Sequence, residues 1–137
     1  MKSLFATLLL FLSFSAYVQA QDIKFESLEV NYGSIDKGAD GVRVFKFTNP
    51  GQAPLIISNA QGSCGCTVPT YPKEPIMPGE SGEIRVKYDT QRVGAFTKYV
   101  TLTTNATSGT STQLKIFGDV KPEAAPTPEA PKSLFNQ

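Results

Sequence analysis

The chain of 137 residues has no histidine and no tryptophan, only two cysteines and two methionines, and 13 basic residues set against 12 acidic ones. Each scarcity closes off a class of function. Without histidine, the Ser-His-Asp and Cys-His arrangements of nucleophilic hydrolysis lack their base within this chain, and ordinary hydrolase chemistry is not expected. The lysines and arginines stand singly among acidic residues, so there is no basic stripe to meet a polyanion and nucleic acid is not expected among the partners. Beyond Phe14 no apolar run approaches the roughly 20 residues that a membrane-spanning helix needs, so no transmembrane segment is expected either.

What is present begins with an export leader. Met1 and Lys2 give a short positive start, the stretch from Leu4 to Phe14 is apolar apart from Thr7 and Ser13, and Val18-Gln19-Ala20 offers a cleavage site. Removal of residues 1–20 takes Lys2 with it and leaves basic and acidic residues equal in number. Gln21 stands where a bacterial lipoprotein would need cysteine. The processed chain is therefore expected in the periplasm or outside the cell, where conditions are oxidising. Residues 21–120 fit one domain able to bury its own core. Residues 121–137, rich in proline, glutamate and alanine, lack the apolar content to offset the entropy of ordering and are expected to form a disordered tail.

Apolar residues in 21–120 recur at a spacing of two, with glycine, proline and asparagine between the runs. That period predicts an all-β fold, with strands over 27–32, 42–49, 54–59, 67–69, 82–89, 97–105 and 113–120. Seven short strands suggest a β-sandwich. Its core is expected to rest on Phe45, Phe47, Leu55, Ile57, Ile84, Val86, Val100, Leu102, Leu114 and Ile116. Val44, on the other face from Phe45 and Phe47, implies partial cover on both sides of its strand. Turns are expected at Asn49-Pro50-Gly51, at Pro78-Gly79-Glu80-Ser81-Gly82 and at Val93-Gly94, because proline has no amide hydrogen and glycine reaches positive φ.

The two cysteines flank one glycine in Ser63-Cys64-Gly65-Cys66-Thr67. The pair reads as a disulfide, a redox couple, a soft-metal clip or simply a shaped turn. Two residues of extended chain span about 6.6 Å, at the upper edge of the usual Cα separation across a disulfide of about 4.4–6.8 Å, so a ring needs a bend that Gly65 can supply. Such a ring is expected to be strained, readily reduced and of small stabilising effect. A thiolate would need a nearby cation or helix N-terminus, and the nearest charged residue along the chain is Lys73. Two thiolates suit Cu(I), whereas Zn(II) asks for four ligands that one chain of this composition does not offer.

The succession Phe45-x-Phe47-x-Asn49-x-Gly51, Pro54-Leu55-x-Ile57, Ser63-Cys64-Gly65-Cys66-Thr67, Ile76-x-Pro78-Gly79-x-Ser81-Gly82 and Thr103-x-Asn105 resembles the domain of unknown function 1573 family of exported bacterial proteins. The resemblance runs from about Tyr32 to Val120. It implies an immunoglobulin-like sandwich related to PapD-like and ASH domains, carries the family's cysteine motif onto Cys64 and Cys66, and implies no established activity.

The remaining constellations are weak. Gly79-Glu80-Ser81-Gly82 reads as a turn rather than a nucleophile elbow. Glu29, Asp36 and Asp40 lack the dense oxygen spacing of a calcium loop. Asn105-Ala106-Thr107 reads as a loop, Tyr88 as core and Tyr71 as an exposed contact. The strand over 97–105 has a polar face and, placed at a sheet edge, would offer its backbone to a partner's strand. The expected function is a non-catalytic binding or scaffolding module of the bacterial cell envelope, meeting an envelope protein by strand addition. The alternative is a thiol protein using Cys64 and Cys66 for redox exchange or Cu(I) binding.

Overall fold

The computed structural model describes residues 20–125. The leader expected over 1–20, apart from its last residue, and most of the tail expected over 121–137 lie outside them. Every regular element described is a strand: β1 (Lys24–Phe25), β2 (Glu29–Asp36), β3 (Val42–Thr48), β4 (Ile57–Gly62), β5 (Thr67–Thr70), β6 (Ser81–Tyr88), β7 (Gly94–Thr104) and β8 (Ser111–Lys121). β6 shows why the chain chooses strands. Ile84, Val86 and Tyr88 are buried while Glu83, Arg85 and Lys87 face water, a two-residue period that only a pleated strand turns into one greasy face.

The strands form two four-stranded sheets, ordered β1-β3-β6-β5 and β2-β8-β7-β4. Pairing is antiparallel except between β2 and β8, which run parallel. The two sheets pack face to face as an immunoglobulin-like sandwich. Of the places where the chain changes sheet, two join edge strands: β1 to β2 along one side and β4 to β5 along the other. The β4–β5 crossing carries the two cysteines.

All ten residues expected in the core are buried. Ile84, Val86, Val100, Leu102, Leu114 and Ile116 keep no solvent contact, and each such side chain contributes about 1.5–3 kcal/mol through its removal from water. Tyr32, Tyr88 and Phe96 fill one end of the sandwich. Tyr88 stacks on Phe96 at 3.8 Å between centroids, and Tyr32 meets Phe96 edge-on at 5.3 Å. Val44 departs from expectation. It is 36% exposed on the outer face of its sheet, because no layer of the described residues covers that side.

The loops are held by two asparagines. Asn49 is fully buried and uses every polar group it has. Its Nδ2 donates to the carbonyls of Ala53 and Ile76 at 2.8 and 2.9 Å, its Oδ1 accepts from Gly51 N–H at 2.9 Å, and its backbone bonds Glu80 and Gly79. Asn105 likewise clamps Ile56 N–H and the Pro54 carbonyl. The turn before β6 also forms: Gly79 takes φ +79° and Glu80 N–H donates to the Met77 carbonyl at 2.9 Å, with Pro78 and Gly79 in the central positions they favour.

Candidate functional site: the dithiol turn between the sheets

β4 ends at Gly62 and β5 begins at Thr67, so Ser63 to Cys66 must carry the chain from one sheet to the other. Gly62 makes the crossing tight enough. A Cβ built on it would lie 2.0 Å from the Thr67 carbonyl oxygen, so any larger residue would push the two edge strands apart. The turn is then fixed by backbone bonds at both ends. Ser63 N–H donates to the Tyr99 carbonyl at 2.8 Å and Tyr99 N–H returns to Ser63 Oγ at 3.1 Å; Thr67 N–H donates to the Cys64 carbonyl at 3.2 Å and Asp89 N–H to the Cys66 carbonyl at 2.9 Å.

This frame sets the Cα atoms of Cys64 and Cys66 5.2 Å apart, with the two sulfurs paired. The bend is present, but Gly65 does not supply it through a left-handed conformation. Its φ is not positive, and a Cβ there would meet nothing within 4 Å. The two sulfurs differ in surroundings. Cys66 is 4% exposed and belongs to the hydrophobic core, whereas Cys64 is half-buried against it. Cys66 N–H donates to Cys64 Sγ at 3.3 Å, and the buried Thr67 hydroxyl lies 3.8 Å from Cys64 Sγ and 3.7 Å from Cys66 Sγ. No helix N-terminus among the described residues points at the pair. As metal ligands, the two sulfurs offer a soft two-coordinate donor set. Among the described residues no group of three or more His, Cys, Asp or Glu collects anywhere to extend it.

The strand expected to meet a partner is not at an edge. β7 lies inside its sheet between β8 and β4, and the edges belong to β1, β2, β4 and β5. Just before β5, Cys66 faces β6 through the Asp89 amide, so by alternation Thr67 and Pro69 face outward, and Pro69 has no N–H to offer. Just after β4, Ser63 N–H faces β7, which turns Ser58, Ala60 and Gly62 of β4 outward. The Tyr71 hydroxyl takes the Ser58 carbonyl at 3.3 Å, and Thr67 crowds Gly62. β1 is two residues long. β2 is the longest edge. Lys115 N–H donates to the Leu28 carbonyl at 2.8 Å, so Glu29 and Asn31 turn their backbone groups away from β8.

The other candidates are structural. Tyr88 is buried as expected. Tyr71, expected as an exposed contact, is half-buried against the core with Lys73 Nζ 3.5 Å from its ring centroid. Ser81 Oγ lies 2.9 Å from Thr48 Oγ1, its only hydrogen-bond partner among the described residues. Glu29 pairs with Lys115 at 3.3 Å and the Asp40 carboxylate accepts Val42 N–H at 2.9 Å. Among the shifted ionisable groups, burial pushes Tyr32 up to about 12, against the pull of Arg43. Burial also raises Tyr88, while the Ser108 hydroxyl and then the Ile23 amide hold the Asp22 carboxyl below the usual range.

Sequence reasoning missed Asn49 as a clamp, Gly62 as a close-approach residue and Thr67 as the hydroxyl shared by both sulfurs. The motif Asn-Pro-Gly and the threonine beside Cys66 were the only signals.

No curated protein matches the chain significantly. Among solved structures, a protein of unknown function from Porphyromonas gingivalis W83 is similar at 17% identity and TM-score 0.67, over 78% of this chain and 51% of that one. The VesB protease of Vibrio cholerae is similar at 17% identity and TM-score 0.58, over 72% of this chain and 32% of that one. The ASH/PapD-like domain 7 of human CEP192 is similar at 6% identity and TM-score 0.60, over 76% of this chain and 88% of that one. This chain thus spans about half of the first and a third of the second. At these identities the likeness establishes the fold, a PapD-like sandwich. Residues 23–120 match the family described as protein of unknown function (DUF1573), and the chain belongs to that family.

Proposed function

We propose that the chain is an exported, non-catalytic binding or scaffolding module of the bacterial cell envelope. The observation that carries this reading is that, the cysteine pair aside, hydroxyls and amides that could do chemistry are engaged in holding the fold. The hydroxyls of Tyr32, Ser81 and Thr90 and the amides of Asn49 and Asn105 all bond partners within the domain. An open hollow of about 500 Å³ between Glu26, Lys46, Ser81 and Glu83 sets a cation between carboxylates and offers no nucleophile paired with a base. The leader pattern of residues 1–20 supports export.

The contact mode is strand addition to β2, by an extended segment of an envelope protein. β2 has the length, and the backbone groups of Asn31 turn away from β8. Asn31→Pro removes the outward N–H while leaving the β8 ladder intact. Cross-linking in envelope extract is expected to capture a partner with the wild-type chain and to lose it with Asn31→Pro at unchanged melting temperature. Equal capture by both would overturn strand addition at β2, and reproducible turnover of any substrate by the purified chain would overturn the non-catalytic reading.

A further inference from the structure

The dithiol turn carries a second capacity that binding does not use. We propose that the Cys64–Cys66 pair is a thiol–disulfide exchange site for a dithiol co-reactant, in which Cys64 receives the incoming thiolate and Cys66 is the sulfur released. Three features of the turn assign these roles. An attacking thiolate must approach a sulfur in line with the S–S bond, from the side away from its partner. Cys64 is half-buried and reachable, whereas Cys66 is 4% exposed with its far side in the hydrophobic core.

The second feature is the Thr67 hydroxyl. Its residue is 3% exposed, and the only partners of its Oγ1 among the described residues are the two sulfurs, at 3.8 and 3.7 Å. A hydroxyl hydrogen can rotate toward whichever sulfur bears charge. It is therefore placed to donate to the thiolate that forms on Cys66, which otherwise would be left in an apolar surround. The third feature is that the turn does not depend on the ring. The bonds from Ser63, Thr67 and Asp89 hold the backbone after the ring opens, so the sulfurs stay neighbours.

A co-reactant thiolate forms a bond to Cys64 Sγ, the Cys64–Cys66 bond breaks, and its electron pair goes to Cys66 Sγ. The co-reactant's second thiolate then attacks its own sulfur in the mixed disulfide and releases Cys64 as thiolate. Two protons from solvent neutralise the two cysteines, so the pair is reduced by two electrons and the dithiol is oxidised to its disulfide. The reverse sequence, with a disulfide as oxidant, closes the ring again.

The test uses the oxidised chain and glutathione as the probe thiol, quenched with N-ethylmaleimide before fragment-ion mapping. The expected first adduct carries glutathione on Cys64 and maleimide on Cys66, in excess by on the order of tenfold over the reverse. Thr67→Val is expected to slow ring opening several-fold and Thr67→Ser to restore it, with circular dichroism confirming the fold in each. Glutathione on Cys66 in equal or greater yield would overturn the assignment, as would a ring that glutathione does not open while the fold is intact. Neither result bears on the binding reading, because no protein partner takes part.

Discussion

Replacing Asn49 tests whether a single buried amide holds the β3–β4 loop to the β5–β6 loop. Asn49→Ala removes three hydrogen bonds: two donated to the Ala53 and Ile76 carbonyls and one accepted from Gly51 N–H. The Ile76 carbonyl keeps its bond from Leu55 N–H at 2.8 Å, and Ala53 and Gly51 are half-buried, so water can replace part of the loss. At about 1 kcal/mol for each bond, the expected cost is about 3 kcal/mol, a large fraction of the roughly 5–15 kcal/mol available to such a domain. Asn49→Asp is nearly the same size but sets a carboxylate oxygen against two carbonyls. It is expected to cost more than alanine at neutral pH. Its folded-state pKa is then raised above the ordinary value of about 3.9, since only the protonated acid can donate. The stability of this variant is therefore present below the unfolded pKa and is lost as pH rises through the folded one. Urea denaturation followed by circular dichroism, at neutral pH and near pH 4, measures both variants. An alanine cost below about 1 kcal/mol, or an aspartate variant as stable as wild type at neutral pH, would refute the clamp.

Gly62→Ala is expected to cost about 1–3 kcal/mol because its Cβ meets the Thr67 carbonyl, while Gly65→Ala stays within about 0.5 kcal/mol; thermal melts of the two decide. Reducing the cysteine pair opens a loop of only a few residues, for which chain entropy allows at most about 1.6 kcal/mol, so urea midpoints with and without a reductant should differ by no more than about 1.5 M. Tyr32, whose hydroxyl donates to the Gly41 carbonyl at 2.8 Å, has a folded pKa raised to about 12. Its contribution is present below about pH 10 and fades as pH rises through the folded value, so alkaline unfolding should be less steep in Tyr32→Phe than in wild type.

The strands that alternate were legible and those that do not were not. β6 announces itself through Ile84, Val86 and Tyr88, and β8 through Leu114 and Ile116. β1, with only Lys24 and Phe25, is too short to show a period. β2 was expected over 27–32 but runs from Glu29 to Asp36, past a left-handed Gly33 that reads as a break. The strand expected over 54–59 begins only at Ile57; Leu55 instead makes one isolated bridge to Ile76. Strand order is a tertiary property, which is why the polar face of β7 gave no sign that it lies inside its sheet. The cysteine pair was legible as chemistry, but the contact of Gly62 with Thr67 depends on how two sheets approach and leaves no local mark.

The position of the ring decides what its chemistry can do to the protein. In an antibody-type sandwich the disulfide joins distant strands across the core, so breaking it releases a constraint between the sheets. Here the bonded residues are two apart in sequence, and a ring that small fixes no distance between β4 and β5. That distance is set by the close approach of Gly62 to Thr67 and by the bond the Tyr71 hydroxyl donates to the Ser58 carbonyl. Opening the ring therefore changes the sulfurs and leaves the β4–β5 crossing in place. A rigid body with a reversible bond at its edge is what repeated exchange requires, because a fold that loosened on each reduction would expose the Tyr88 and Phe96 end of its core to aggregation. Hydrogen exchange at the amides of Ser63, Thr67 and Asp89 measures this directly: protection is expected to be equal in the oxidised and reduced chains, and its loss on reduction would show that the ring, rather than the backbone, holds the turn.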